Sequence, residues 1–340
     1  MSAANRFAQG RGLLHYLGTE PGRTKLFFAS GVAGLASALL VGVPHAPAIN
    51  WMKNTLQMYK DGYPVKLSPS VIDLAAEVLA DLKVKERDAK TIRWFTAFGF
   101  DPIHKGATHL RSGAIIGIPR TFSYNSPEDV DRSLIKLHRD ISIPWKTEAG
   151  EALMAGIIYS DKARKFAIAR EVVGVDSYHV ITKFFAVGLV IPSVSSLLAR
   201  LDDRIQLYRY PLRMRVAWFS AWSVVAVLAV AATWDAVCRY YESDADRTVA
   251  AMGVEYLEGG VEYYAKRLLM NRALRELLGK EGRDTYSEAG DVRYLLWEPR
   301  LPLTQQRAFF EKKLAAARSA QVVAEVKQNE NEDSREAKPV

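Results

Sequence analysis

Two short acidic segments contain the side chains of this sequence that could take part in chemistry. The first has Arg170 beside Glu171, and the second has Glu242 and Asp246, which are four residues apart and so lie on one helical face. Carboxylates can bind a metal ion or transfer a proton. No two histidines are spaced i, i+4, and Cys238 is the single cysteine, which excludes an internal disulfide and a Cys-based zinc site.

The order of these segments resembles that of membrane zinc metallopeptidases of the gluzincin type. In those enzymes a strand precedes a helix with His-Glu-x-x-His, a membrane hairpin follows, and a second helix has Glu-x-x-Ala-Asp. Here residues 157–161 precede the helix-forming segment 165–174, two apolar stretches follow, and then comes Glu242-Ser-Asp-Ala-Asp246. The resemblance implies a gluzincin-like fold in which Glu171 stands at the position of the glutamate that activates water.

The two positions that would hold histidine ligands carry residues that cannot bind zinc. Arg170 is a permanent cation and Gly174 has no side chain, whereas catalytic zinc needs three protein ligands. If the ancestry is real, the fold is a degenerate one, and Arg170 could pair with Glu242 or Asp246 in place of the metal. The alternative is a chance match on an amphipathic helix. We therefore predict a pseudoprotease at most, with no catalytic residue, metal or cofactor, and with Arg170, Glu171, Glu242 and Asp246 as vestigial-site candidates.

Composition narrows the class of protein. The 340 residues are 49% hydrophobic, 25% charged and 10% aromatic, which excludes a polytopic transporter and a disordered chain. The net charge of +8 could reflect nucleic acid, an anionic membrane or a mitochondrial address. Because the positive charge clusters beside apolar stretches and no groove of basic and aromatic residues is indicated, nucleic-acid binding is not expected.

Three apolar stretches are predicted to cross a membrane, over residues 26–43, 183–199 and 216–234. A bilayer core of ~30 Å needs about 20 apolar helical residues, so the first and third suffice directly. The second is short, but residues 179–182 can extend it past Lys183, which can reach the interface with its ammonium group. A buried core helix is the alternative for each stretch, and a cleaved signal peptide is a further alternative for the first.

The distribution of positive charge predicts which segments outside the spans lie on the same side of the membrane. The arm 1–25 and the loop 200–215 each have a net charge of +3, and three spans place both on the same side. That side is the matrix for the mitochondrial inner membrane, or the cytosol for a plasma or endoplasmic membrane. In the mitochondrial case, residues 44–182 and 235–326 form two intermembrane-space domains, and 327–340 is a disordered charged tail.

Outside the spans the sequence predicts helices with a small β element. Residues 112–119 and 152–158 are expected as strands, and Ser68, Ser126 and Ser160 are expected to open helices. Two helices broken near Gly259-Gly260 are expected over 245–278, followed by a helix over 304–326. The predicted fold class is a mainly α membrane protein, with three transmembrane helices and a helical soluble domain that contains a small β element.

Small residues recur in the first span at Ser30, Gly34 and Ala38. Such a row lets another helix approach closely, and we predict a helix-packing role for it. Generic lipid-facing sequence is the alternative.

Several segments resemble one family, the mitochondrial transmembrane protein 177 family, over roughly residues 25–315. They are Gly113–Pro119, Ala163–Val173, Gly259–Lys266 and Asn271–Gly282, and their order and placement around the spans also match. The resemblance implies a multi-pass protein of the mitochondrial inner membrane that is associated with cytochrome c oxidase assembly. Its expected partners are subunit II of that oxidase, the dedicated chaperone of subunit II, and membrane lipid.

Three functions are therefore compared. The first is a non-enzymatic assembly factor, which needs binding surfaces and no nucleophile. The second is a membrane-embedded zinc metallopeptidase of gluzincin type with atypical ligands, and the third is a structural membrane scaffold of the secretory pathway. Stoichiometric zinc in the purified protein would favour the peptidase.

Overall fold

The computed structural model describes residues 16, 20–133, 135, 137, 143–294 and 297–336. Most of the predicted arm 1–25 therefore lies outside the described residues. The helices are, in chain order, α1 (Glu20–Gly42), α2 (Ile49–Leu56), α3 (Pro69–Asp81), α4 (Glu86–Ala89), α5 (Glu148–Ile157), α6 (Asp161–Asp176), α7 (His179–Ile205), α8 (Leu212–Ala250), α9 (Val254–Leu277), α10 (Lys280–Thr285) and α11 (Leu303–Glu336). The strands are β1 (Tyr59–Lys60), β2 (Tyr63–Pro64), β3 (Ile92–Ala97), β4 (Ile103–Gly106) and β5 (Ala114–Pro119). The predicted class, a mainly α protein with a small β element, is confirmed.

Three of these helices, α1, α7 and α8, are long and apolar enough to cross a membrane, as the sequence predicts. Helix α7 begins at His179, which is the extension that its short apolar stretch requires. Helix α8 has 39 residues and is about 58 Å long at 1.5 Å per residue, far more than a ~30 Å bilayer core. Its C-terminal half therefore leaves the membrane and enters the soluble part of the protein.

The small residues of α1 lie against α7. A Cβ atom at Gly34 would collide with the carbonyl oxygen of Gly188 and would lie 2.9 Å from Cδ of Pro192. Ala38 is buried, 2.9 Å from where a Cβ of Gly188 would be. Ser30 lies one turn earlier, in the wall of a cavity between the membrane helices. Gly34 and Ala38 thus serve a helix contact inside this chain.

The soluble residues before the second span and after the third form one packed body. Helix α9 packs on α5 and α6, and α11 packs on α9. The ring of Phe166 in α6 lies 5.5 Å from that of Tyr264 in α9 and 4.9 Å from that of Phe310 in α11, measured between centroids. All three side chains are at most 1% exposed. The two separate domains expected over 44–182 and 235–326 therefore share a core, and both must lie on one side of the membrane.

A three-stranded sheet covers one side of α6. Its strand order is β3-β5-β4, with β3 parallel and β4 antiparallel to β5. Every residue of β5 is buried, as expected for an apolar central strand. The predicted strand over 112–119 is confirmed, and β4 brings a polar segment against α6.

Two local predictions are wrong. Residues 152–158 lie mostly in helix α5, because Thr147 caps the helix by accepting the Gly150 N–H at 3.2 Å and the sequence that follows is rich in Ala, Glu, Leu and Met. Ser126 opens no helix, because the Asp129 carboxylate accepts the backbone N–H groups of residues 125 and 126 and closes a turn.

The predicted break near Gly259-Gly260 is also wrong. The chain turns at residues 251–253, where Gly253 has φ of 131°, and α9 then runs through both glycines. A Cβ at Gly260 would lie 2.7 Å from the Phe310 ring, so this glycine permits close helix packing. At the C-terminus, α11 continues to Glu336, so residues 327–336 are helical where a disordered tail was expected. Residues 337–340 lie outside the described residues.

Candidate functional site

Helix α6 is the central element of the candidate site. Ser160 caps it, with its hydroxyl oxygen accepting the N–H of Ala163 at 3.3 Å, and Glu262 of α9 accepts the Ser160 N–H at 3.0 Å. Most apolar side chains of α6 are fully buried, because the sheet and helices α3, α8 and α9 surround it. A helix enclosed in this way holds its few charged side chains in fixed positions.

Arg170 binds both carboxylates of the second acidic segment. Its Nη2 lies 2.6 Å from Oε1 of Glu242, and its Nε lies 2.9 Å from Oδ1 of Asp246. Glu242 and Asp246 face Arg170 together because they are one turn apart on the part of α8 that leaves the membrane. The contact expected from the sequence is present, and it joins α6 to α8.

Further hydrogen bonds connect the two carboxylates to the rest of the domain. The Tyr264 hydroxyl in α9 donates to Oδ1 of Asp246 at 2.8 Å, and the Gln306 amide in α11 donates to Oδ2 at 3.0 Å. The backbone N–H of Leu301 donates to Oε2 of Glu242 at 2.7 Å. The Asp246 side chain is only 4% exposed, so these bonds replace the water that a buried carboxylate would otherwise need. We refer to Arg170, Glu242, Asp246, Tyr264 and Gln306 as the arginine cluster.

Burial and neighbouring charges have opposite effects on the pKa values of this cluster. Burial alone would lower the pKa of the Arg170 guanidinium, yet its phenolic and acidic neighbours raise that pKa well above the ordinary value. Arg170 is thus a fixed positive charge at any physiological pH. For Asp246 burial outweighs the contact with Arg170, so the pKa of its carboxyl lies above the ordinary value.

Glu171, whose position in the sequence resembles that of a catalytic glutamate, has a different partner from Arg170. Its Oε2 lies 2.6 Å from Nδ1 of His104 in strand β4, and its side chain is 8% exposed. Burial would raise the pKa of Glu171, but His104 and Arg170 together hold that pKa below its usual value. Glu171 is therefore ionised at neutral pH and joins α6 to the sheet.

Gly174 explains how the His104 ring fits against α6. A Cβ at Gly174 would lie 2.6 Å from Cε1 of His104, so the imidazole occupies the space that a side chain would take. The position that resembles a second zinc ligand in the sequence is thus filled by a ring from another element. The sequence gives no sign of this contact, because the two residues of the His104–Glu171 pair are 67 positions apart and no local pattern relates them.

Two more histidines extend this contact toward the membrane. The His179 ring, at the start of α7, lies 5.3 Å from the His104 ring and 5.5 Å from that of His45, which follows the first span. His45 Nδ1 accepts the Gly106 N–H at 3.1 Å. These rings join the ends of two membrane helices to strand β4.

The donor set does not fit a gluzincin zinc site. Glu242 and Asp246 both face a guanidinium at hydrogen-bond distance, and Gly174 offers no ligand. Over the described ranges of the chain, no group of three or more His, Cys, Asp or Glu side chains is arranged to hold a metal ion. What this arrangement can do is hold helices α6, α8, α9 and α11 together.

The fold and this site define a multi-pass membrane protein whose soluble domain is joined to its third membrane helix by a buried arginine–carboxylate cluster. The comparison with protein families agrees, because the sequence profile described as transmembrane protein 177 matches residues 80–298. This chain belongs to the transmembrane protein 177 family.

Relatives in several animals cover most of the chain. It is similar to transmembrane protein 177 of Homo sapiens, with 31% identity over 296 residues that span 84% of this chain and 93% of the human protein. Transmembrane protein 177 of Danio rerio is 31% identical over 71% of this chain and 77% of its own length. An uncharacterized protein of Caenorhabditis elegans is 23% identical over 52% of this chain and 56% of its own length. No solved structure matches.

Proposed function

We propose that this protein is a non-enzymatic assembly factor of the mitochondrial inner membrane. In this proposal it supports biogenesis of cytochrome c oxidase subunit II by stabilising the complex of that subunit with its dedicated chaperone. Family membership and three membrane helices support a membrane-bound role of this kind. The basic loop 200–215 supports placement of that loop in the matrix.

The observation that carries the non-enzymatic part is the Arg170 contact with Glu242 and Asp246, at 2.6 and 2.9 Å. Both oxygens of each carboxylate already accept a hydrogen bond, and each carboxylate faces the guanidinium of Arg170, so a metal ion could bind there only by displacing that cation. Glu171 is likewise bound to His104. A protein with these side chains committed to structure acts through its surfaces.

The test of the non-enzymatic role is Glu171→Gln in cells that lack the endogenous protein. Gln keeps the shape of Glu and can still hydrogen-bond His104, while it removes any capacity to act as a general base. We expect subunit II to accumulate to the wild-type level at equal expression of the variant. Loss of subunit II with Glu171→Gln, in protein that is folded and inserted, would contradict the non-enzymatic role.

A crosslinked pull-down from mitochondria tests the partner. Subunit II and its chaperone should be recovered together with the tagged protein, and recovery should be unchanged by Glu171→Gln. Stoichiometric zinc in the purified protein, or recovery of membrane proteins of the secretory pathway alone, would replace this proposal with the peptidase or the scaffold.

A further inference from the structure

The three membrane helices line a partly open cavity that the proposed assembly role does not use. Helices α1 and α8 both pack on α7, and a space of about 470 Å³ remains between them. Its walls are mostly apolar and include Phe27 and Ala33 of α1, Val194 of α7, and Phe219 and Ala226 of α8. We call this space the membrane cavity. Its volume lies in the range of ligand sites, about 300–1,000 Å³.

One end of the membrane cavity is polar and lies at the basic loop. Arg215, Tyr208 and Asp202 line this end. The carboxylate of Asp202 accepts the indole N–H of Trp218 at 2.7 Å. The rings of Trp218 and Trp222 on α8 lie 6.0 Å apart, measured between centroids. Tryptophan is enriched at membrane boundaries, which fits the position of this end of the cavity.

Arg215 has an incomplete set of partners. Its Nε is buried, and within the described part of the chain it has no hydrogen-bond partner. A buried guanidinium N–H without an acceptor costs free energy, more than a neutral group would. Because Nε itself is closed to solvent, an anion at the mouth of the cavity would offset this cost through its charge beside the guanidinium. The surrounding loop 200–215 has a net charge of +3, which favours an anion.

We propose that the membrane cavity binds an anionic phospholipid, with its phosphate at Arg215 and Tyr208 and an acyl chain along α1 and α8. Basic pockets between membrane helices, beside the boundary, are sites where such headgroups bind. The apolar walls match an acyl chain, and a cavity of about 470 Å³ is too small to enclose a helix about 10 Å across. The lipid would complete the packing between α1 and α8.

Native mass spectrometry of the full chain tests this proposal. The protein is purified in detergent and mixed with dioleoyl phosphatidylglycerol, which is anionic. Dioleoyl phosphatidylcholine, which has no net charge, is used for comparison. We expect one phosphatidylglycerol to be retained, and Arg215→Gln to weaken its retention about tenfold, because a charge-assisted hydrogen bond is lost. Arg213→Gln is the matched control, because Arg213 is two residues away, exposed and outside the cavity wall.

A second variant tests the acyl-chain part. Ala226→Phe fills the apolar wall far from the phosphate and should weaken retention while Arg215 is intact, with the melting temperature of the protein showing that it is folded. Equal retention of both lipids, or equal loss with Arg213→Gln and Arg215→Gln, would overturn the proposal. Full displacement of the lipid by glycerol phosphate would also overturn it, because the site would then bind a soluble phosphate.

Discussion

Arg170 is the one cation of the arginine cluster, and it contacts both of its carboxylates. It lies between Glu242 and Asp246, and its removal would leave two carboxylates in a region where Asp246 is 4% exposed. An intact buried ion pair often contributes little to the free energy of unfolding. Removal of one partner is nevertheless strongly destabilising, because the other charge then stays buried without compensation. The resemblance to gluzincin peptidases implied this contact, and a measurement of domain stability tests its importance.

We expect Arg170→Met to lower the free energy of unfolding by about 3 kcal/mol. The control is Arg239→Met. The Arg239 side chain is 43% exposed and its contact with Glu298 is long, at 4.0 Å. Such a surface pair contributes at most about 1 kcal/mol to the free energy of unfolding. Thermal unfolding of both variants in the same detergent measures the difference. Equal losses in the two variants would show that the arginine cluster adds no more than a surface pair.

The lowered pKa of Glu171 predicts that the stability of the protein depends on pH. Because that pKa is lower in the folded than in the unfolded protein, the ionised carboxylate stabilises the fold above the unfolded value of about 4.3. This stabilisation is lost as the pH falls through the lower folded pKa. The melting temperature of the wild type should therefore be higher than that of Glu171→Gln at pH 7. This difference should become smaller as the pH is lowered toward 3.

Glu288→Gln serves as the control for that experiment, because the Glu288 side chain is 90% exposed and its contact with Arg275 is 3.8 Å long. Its melting temperature should follow wild type at every pH. A difference between wild type and Glu171→Gln that does not change between pH 7 and pH 3 would contradict the predicted role of the ionised carboxylate.

Helix α8 is the element that couples the membrane to the soluble domain. Its apolar part spans the bilayer, and the same helix continues without a break to Glu242 and Asp246. Helix α1 is held to α7 at the glycine that the small-residue row predicted. Because this row packs inside the chain, a substitution in it acts first on the membrane bundle and only through the bundle on any partner.

Gly34→Leu tests this packing, with Gly31→Leu as its control on the same helix. A side chain at Gly34 collides with Gly188 and Pro192, whereas a Cβ at Gly31 has no atom within 4 Å among the described residues. Overpacking of this kind costs about 2 kcal/mol, so Gly34→Leu should lower the melting temperature and the accumulation of subunit II, while Gly31→Leu leaves both unchanged. Equal behaviour of the two variants would show that α1 and α7 do not need this close approach.

At the scale of the whole molecule, the soluble segments on either side of the membrane hairpin are one domain. Helix α9 lies against α5 and α6, which precede the hairpin, and α11 completes the core at Phe310. An even number of crossings between these segments is therefore required, and helices α7 and α8 supply two. The basic loop 200–215 lies at the opposite end of those helices.

Protease protection in mitoplasts tests the orientation that follows. With the loop 200–215 in the matrix, residues 44–182 and the C-terminal helix α11 face the intermembrane space. A tag after residue 340 should be digested once the outer membrane is ruptured, and a tag inserted in the loop 200–215 should survive until the inner membrane is dissolved. A C-terminal tag that stays protected after rupture of the outer membrane would show that the protein has the opposite orientation.

Some features of this protein follow from local patterns, and the sequence alone predicts them. Uncharged stretches of sufficient length identify the three spans, since the bilayer imposes the same requirement on any helix. Helix α6 and strand β5 follow from capping residues and from apolar runs. The wrong predictions at residues 126, 152–158 and 259–260 concern short segments in which a turn, a cap or a close helix contact outweighs local propensity. Residues 327–336 are helical where the charged composition predicted disorder.

Other features depend on residues far apart in the chain, and only the tertiary structure decides them. The His104–Glu171 pair, the use of Gly174 to admit the His104 ring, and the shared core of Phe166, Tyr264 and Phe310 each join separate elements. Helical spacing places Glu242 and Asp246 on one face, and the resemblance to gluzincin peptidases implied that Arg170 faces them in place of the metal. The membrane cavity was not, because the space left between three packed helices depends on their crossing angles and side-chain shapes, which no periodicity in the sequence records.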